Sequence, residues 1–169
     1  LLLATWAEVG VHPGDRVEHG AVIPVSAIPA LADLGVTVVT QPGFVAARGD
    51  RYLAEVEDVD RPDLWRCGTL LDGGVAVGGG TDAPYGPADP WRAMAAAVSR
   101  ATEAGAVLGP DDRIAPRRAL DLFLSPPDAP GGPPRRVAVG APADLCVLDR
   151  PLADALEDLA AVRVTATIV

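Results

Sequence analysis

Three short segments of the chain share one pattern of hydrophobic and polar positions. Each has apolar, mostly β-branched residues, then one polar residue, then glycine or proline within a few positions. The segments are residues 15–20, 36–42 and 75–84. Apolar runs of this kind, bounded by turn-forming residues, predict strands. The polar residues at their ends are His19, Gln41 and Asp82.

Helical patterns separate and follow these strands, over residues 24–35, 61–74 and 89–105. Each places apolar residues three or four positions apart and ends at a glycine. The last pattern is the clearest, because Asp89 is a typical N-cap and Pro90 suits the first helical position. Strands that alternate with helices predict a parallel sheet with crossover helices, and therefore an α/β fold.

The pattern changes after Gly105. Residues 115–124 predict one further short helix. Residues 125–136, with the sequence SPPDAPGGPPRR, predict a linker because proline and glycine interrupt both helix and strand. The segments ADLCVLD (143–149) and VRVTATIV (162–169) then predict two strands of a second sheet.

Composition and charge narrow the class of protein. The chain has 169 residues, of which 49% are hydrophobic, so it can build a core. Its net charge of -9 and 4% aromatic content exclude a basic, aromatic surface for nucleic acid. No run of about 18 apolar residues predicts a membrane span. Cys67 and Cys146 form no paired motif, so a reducing, cytoplasmic location is expected. The start at Leu1 leaves a targeting segment open.

The three strand ends are the candidates for chemistry, since the carboxyl ends of parallel strands meet at one edge. An imidazole from His19 and a carboxylate from Asp82 suit a divalent metal. Alternatives stay open for each residue: a core histidine, an Asx turn at Asp82, and a backbone-bonded loop position for Gln41. Glycines 78–80 are expected to leave room for metal or substrate. Residues 44–65 predict the longest loop, and its neighbourhood offers four possible substrate contacts, none singled out: Arg48, Tyr52, Trp65 and Arg66.

Six motifs in a fixed order resemble the C-terminal part of metal-dependent amidohydrolases, in the family 3 branch. They are RVEHG, LADLGVTVVTQP, GVAVGGGTDAP, AVSRATEAG, RIAPRRAL and VGAPADLCVLD, and the resemblance runs over residues 6–169. It implies strands 6 to 8 of a partial (β/α)8 TIM barrel followed by strands of a small β-sandwich. The implied organisation is a barrel portion over 1–124, a linker over 125–136 and sandwich strands over 137–169.

The resemblance also implies roles for the strand-end residues. His19 matches the metal-ligand histidine that ends strand 6. Asp82 matches the aspartate that ends strand 8, which binds or neighbours the metal and moves the proton. Gln41 would face the site without ligating. The implied reaction is hydrolysis of a C–N bond in a small-molecule substrate by metal-activated water, with zinc the commonest metal and one or two ions both open.

The chain departs from the family in one respect. The HxH motif of strand 1, the bridging residue of strand 4 and the histidine of strand 5 would all precede His19, where the chain has 18 residues. A complete barrel needs about 250 residues. We therefore expect a fragment, inactive alone, whose partner is a missing N-terminal barrel half or a second copy in a homo-oligomer. The alternative is a truncated relative without catalysis, or an interaction module.

Overall fold

The three predicted strands form one parallel sheet in the order of the sequence. A computed structural model describes residues 2–169. The strands are β1 (Arg16–Glu18), β2 (Thr37–Thr40) and β3 (Val77–Gly79), with β2 in the centre. Val38 of β2 lies opposite Val17 of β1 and Val77 of β3, and all three contribute to one apolar core on the helix-covered face. The predicted parallel α/β sheet is confirmed.

Helices connect the strands and continue beyond them. They are α1 (Leu2–Val9), α2 (Ile28–Asp33), α3 (Gly43–Glu55), α4 (Gly68–Asp72), α5 (Pro90–Ser99), α6 (Pro116–Asp121) and α7 (Leu152–Glu157). Helix α5 begins as predicted, because Asp89 Oδ1 accepts hydrogen bonds from the backbone N–H of Trp91 at 2.9 Å and Arg92 at 3.4 Å. Within the described residues, no helix has both the length and the apolar character needed to cross a membrane.

Two helix boundaries differ from the prediction. Helix α5 stops at Ser99 and not at Gly105, because Arg100 takes a left-handed conformation with φ of 54°. Its buried guanidinium donates hydrogen bonds to the carbonyls of Leu64, Trp65 and Leu108. The single helix predicted over 61–74 is also wrong. Residues 61–63 form one 3₁₀ turn and α4 begins only at Gly68, since the chain between them is held in these buried contacts.

Helix α3 replaces most of the loop predicted over 44–65. Its two glycines, Gly43 and Gly49, weaken the local helix signal because glycine costs about 1 kcal/mol relative to alanine in a helix. Gly49 is required by packing: a Cβ there would lie 2.5 Å from Cγ2 of Thr102. Glycine is therefore required at position 49 by Thr102, a residue that lies far from it in the sequence.

The second sheet is also as predicted. Strands β4 (Leu145–Leu148) and β5 (Val164–Ile168) pair antiparallel. Between them, α7 and the 3₁₀ turn Leu159–Ala161 pack into the main core through Ala155, Leu159 and Val162. Every residue of β5 is exposed. The C-terminal segment thus joins the main core mainly through its helix and the turn that follows, while β5 stays at the surface.

Candidate functional site

The three strand-end residues leave the same edge of the parallel sheet. His19 directly follows β1, Gln41 directly follows β2, and Asp82 comes three residues after β3. The backbone ladder extends up to this edge: the N–H of His19 donates to the Val39 carbonyl at 2.8 Å, and the N–H of Gly80 donates to the Thr40 carbonyl at 2.9 Å. Because β2 is central, Gln41 lies between the two outer strand ends.

His19 and Gln41 are in direct contact. His19 Nδ1 lies 3.0 Å from Gln41 Oε1, and Gln41 Nε2 donates to the Val39 carbonyl at 3.3 Å. Gln41 is only 4% exposed, whereas His19 is exposed and is not a core histidine. Nε2 of His19 has no hydrogen-bond partner among residues 2–169. One ring nitrogen is therefore hydrogen-bonded by the protein and the other is not.

Asp82 begins a turn that is closed by its backbone carbonyl and not by its side chain. Its backbone carbonyl accepts hydrogen bonds from the N–H groups of Tyr85 at 2.8 Å and Gly86 at 3.0 Å. The half-buried carboxylate makes no hydrogen bond or ion pair with any residue of the described chain. An Asx turn would require a bond from that carboxylate to the backbone, so the turn alternative does not describe Asp82.

Both residues have left-handed backbone conformations, with φ of 68° at His19 and 53° at Asp82. Such conformations cost a non-glycine residue of the order of 1 kcal/mol and occur preferentially at functional sites. Histidine and aspartate are among the residue types that tolerate this region best. The observed strain therefore supports a functional hypothesis at these two positions.

The glycines before Asp82 do not have the predicted role of leaving space for a metal or substrate. A Cβ on Gly78 would lie 3.0 Å from Pro130, and one on Gly79 would lie 2.6 Å from the Phe123 ring. A Cβ on Gly80 would lie 3.1 Å from Gln41 Nε2. The glycines admit side chains and backbone of the protein itself, including the amide that contacts His19.

A second apolar cluster supports the loops that carry the site. Its buried members are Phe44, Val45, Leu64, Trp65 and Leu108, and the Phe44 and Trp65 rings lie 5.0 Å apart. Ala21, two residues after His19, packs against this cluster. A Cβ on Gly86, four residues after Asp82, would lie 3.3 Å from the Phe44 ring. The same apolar cluster therefore packs against the loop after β1 and the loop after β3.

Arg48, one of the four possible substrate contacts, makes a bond within the protein that the sequence did not predict. Its guanidinium lies 4.4 Å from the centre of the Phe44 ring and donates to the Tyr85 carbonyl at 2.9 Å. It thereby ties α3 to the turn that begins at Asp82. No local pattern signals this bond, since its partners lie 37 residues apart.

Two of the four possible substrate contacts are unavailable to a substrate. Trp65 is 5% exposed and Arg66 is 7% exposed. The Arg66 guanidinium is already bonded to the carboxylates of Asp63 and Asp112. These side chains are part of the internal framework of the protein.

The chemistry of the available groups suits a metal only in part. Imidazole and carboxylate are both ordinary ligands of zinc and related divalent ions. A catalytic zinc takes three protein ligands and a water. Within residues 2–169 no group of three or more His, Cys, Asp and Glu side chains is placed to hold a metal ion. His19 and Asp82 are of the chemical types that such a site uses, and a complete site needs further ligands.

The fold and site define an α/β protein whose catalytic candidates lie at the carboxyl edge of a parallel sheet. The family model of the amidohydrolase family matches residues 2–169. The chain therefore belongs to the amidohydrolase family, and the resemblance seen in its motifs is confirmed.

Individual relatives agree with the family match. The N-substituted formamide deformylase of Arthrobacter pascens is 32% identical over 139 residues, which are 80% of this chain and 26% of that protein. Two crystal structures of uncharacterized metal-dependent hydrolases are also similar. The one from Pyrococcus furiosus has a TM-score of 0.60 and 27% identity over 72% of this chain and 24% of its own. The one from Pyrococcus horikoshii OT3 has a TM-score of 0.62 and 26% identity over 72% and 25%. The chain thus spans about a quarter of each relative's length.

Proposed function

We propose that this chain is part of a metal-dependent hydrolase that cleaves C–N bonds in small-molecule amides. The observation that carries the proposal is the pair of uncommitted groups, His19 Nε2 and the Asp82 carboxylate, at one sheet edge in an amidohydrolase family member. The likeness to a protein named as an N-substituted formamide deformylase supports an amide as the substrate class.

In the proposed reaction, His19 and Asp82 would supply two of the ligands of a divalent ion, with zinc the commonest for these ligands and one or two ions both compatible. Such an ion, when bound, lowers the pKa of water and polarises a carbonyl. Asp82 accepts the proton that the attacking water loses and returns it to the leaving nitrogen. A C–O bond forms, the C–N bond breaks, and no electrons are exchanged with a cofactor.

We further propose that β1, β2 and β3 correspond to strands 6 to 8 of a (β/α)8 barrel. Their sequential order and parallel direction support this correspondence. In this proposal residues 1–124 form the barrel portion, 125–136 the linker, and 137–169 strands of a small β-sandwich. The other ligands would come from an N-terminal barrel half, which is the partner that the proposal requires.

A chimera tests this function directly. The segment of the Arthrobacter deformylase that matches this chain is replaced by residues 1–169, and hydrolysis of N-substituted formamides is measured. We expect His19→Ala and Asp82→Asn each to lower kcat/KM by about 10²–10⁴-fold, the usual contribution of an acid–base group.

His12→Ala is the matched control, because His12 is an exposed loop histidine outside the site. It should leave kcat/KM of the chimera unchanged. If Asp82→Asn chimeras hydrolyse formamides as fast as the parent chimera, Asp82 does not move the proton and the proposal is wrong.

The alternative is a truncated relative without catalysis, or an interaction module. It is favoured by the lack of a three-ligand cluster within residues 2–169. The two proposals differ in what the parent chimera does: turnover supports the hydrolase, whereas a folded chimera that binds no zinc and hydrolyses no formamide supports the alternative.

A further inference from the structure

We infer that Gln41 is a positioning residue that holds the His19 ring with its proton on Nδ1 and its lone pair on Nε2. This inference rests on the proposed function in one respect, because that function gives the Nε2 lone pair its use as a metal ligand. The geometry itself comes from this chain alone.

The orientation of the Gln41 amide follows from the Val39 carbonyl. A carbonyl oxygen can only accept a hydrogen bond, so the amide atom 3.3 Å from it must be the NH₂ group. The opposite orientation would place two oxygens with lone pairs against each other. The amide oxygen therefore faces His19.

The tautomer of His19 follows from that orientation. The Gln41 amide oxygen only accepts, so the ring nitrogen 3.0 Å from it, Nδ1, must carry the proton. In the neutral ring the lone pair then belongs to Nε2, which has no hydrogen-bond partner among the described residues. Metal-binding histidines generally donate their second N–H to a carbonyl or carboxylate in this way.

The Gln41 amide is closely surrounded by protein, and its hydrogen bonds fix its orientation. Gln41 is 4% exposed, and a Cβ on Gly80 would lie 3.1 Å from Gln41 Nε2. The Val39 carbonyl also accepts the backbone N–H of His19 at 2.8 Å. A single carbonyl of the central strand therefore anchors both the amide and the histidine backbone. Gln41 thus makes both contacts, to the backbone through Nε2 and to His19 through Oε1 of the same amide group.

Nitrogen NMR of the ¹⁵N-labelled, metal-free chain tests the inference. Long-range ¹H–¹⁵N spectra are recorded over a series of alkaline pH values until the ring ¹⁵N shifts stop changing, and the final spectra report the tautomer of each neutral imidazole. We expect the Nδ1–H form for His19. His12 is an exposed reference in the same sample, and we expect it in the Nε2–H form that predominates in water. An Nε2–H form of His19 in the unmodified chain would overturn the inference, whatever any variant does.

Two substitutions separate tautomer control from simple packing. Gln41→Leu keeps the volume but removes the acceptor, so His19 should change to the Nε2–H form. Gln41→Glu keeps an acceptor opposite Nδ1 but sets its second oxygen against the Val39 carbonyl. A folded Gln41→Glu variant should therefore be less stable and still keep the Nδ1–H form. A folded Gln41→Leu variant that retains the Nδ1–H form would also contradict the inference.

Addition of zinc chloride distinguishes this inference from the proposed function. The ¹⁵N shift of His19 Nε2 reports binding, and we expect Gln41→Leu to weaken zinc binding by about 10–100-fold, as loss of a histidine's hydrogen-bond partner usually does. If the unmodified chain has the Nδ1–H form but Nε2 does not respond to zinc, the metal role of His19 fails and the Gln41 inference stands. If Nε2 binds zinc equally well in Gln41→Leu, the Gln41 inference fails and the metal role stands.

Discussion

At the scale of single residues, burial in the core decides the protonation of the Cys67 thiol. Its side chain has no exposed surface, and its backbone N–H donates to Asp112 Oδ1 at 3.1 Å. Burial raises the pKa of the thiol to about 12, and the nearby Arg100 only partly opposes this effect. A thiol that stays protonated is a poor nucleophile, so Cys67 has a structural role.

This shift predicts a specific loss of stability in alkali. The unfolded chain loses the Cys67 proton near the ordinary pKa of 9.0, whereas the folded chain keeps it up to about 12. The thiol therefore contributes stability that is fully present below pH 9 and is lost as the pH rises from 9 to 12. Urea unfolding at several pH values should show a shallower alkaline decline for Cys67→Ala than for the unmodified chain.

The exposed Cys146 provides the comparison. Cys146→Ala should decline with pH as the unmodified chain does. Identical alkaline slopes for Cys67→Ala and the unmodified chain would show that burial does not hold the proton on Cys67.

At the scale of elements, residues 125–136 form neither helix nor strand, as predicted, yet part of this segment is fixed against the sheet. A Cβ on Gly131 would lie 2.9 Å from the backbone nitrogen of Val77, and the N–H of Gly131 donates to Ser125 Oγ at 3.1 Å. Pro130 packs on Gly78. The segment therefore covers β3 on the face opposite the core helices.

A pair of glycine substitutions measures this packing. Gly131 and Gly74 both have positive φ, 75° and 81°, but a Cβ on Gly74 would meet no atom within 4 Å. Gly74→Ala should cost only the backbone strain, about 1–2 kcal/mol. Gly131→Ala should cost a further ~1–3 kcal/mol because its Cβ collides with the strand backbone. Urea unfolding gives both values. Equal losses would mean that the segment does not rest on β3 in solution.

At the scale of the whole molecule, the small two-stranded sheet exposes apolar side chains, and each of its strands has one edge that no other described strand pairs with. Val164 and Ile168 of β5 are 44% and 46% exposed. Unpaired edges and exposed apolar strands favour pairing with another chain. We therefore expect the 169-residue chain to self-associate as its concentration rises, which size-exclusion chromatography with light scattering would detect.

Substitutions on β5 identify the surface responsible. The double variant Val164→Lys and Ile168→Lys should reduce association, since charge on a strand opposes edge pairing. Val59→Lys is the control, because Val59 is 74% exposed in a loop outside both sheets. A chain that remains monomeric at all concentrations contradicts the expectation.

Much of the fold and part of the site could be predicted from local sequence. The strand ends at His19, Gln41 and Asp82 follow from short apolar, β-branched runs and the turn residues after them. The start of α5 follows from Asp89 and Pro90. These features depend on residues within a few positions of one another. The order of the motifs likewise identified the family, because that order is read from the sequence and does not depend on tertiary contacts.

Other features depend on residues that are far apart in the chain, and only the tertiary structure decided them. Helix α3 has a glycine at position 49 because Thr102 leaves no room for a Cβ there. Helix α5 ends at Ser99 because the buried Arg100 bonds to distant carbonyls. In the same way, glycines 78–80 admit Pro130, Phe123 and the Gln41 amide rather than a ligand. The sequence by itself determined which residues end the strands. The packing of the strands determined that Gln41 faces His19, because hydrogen-bond direction is set only when both partners are in place.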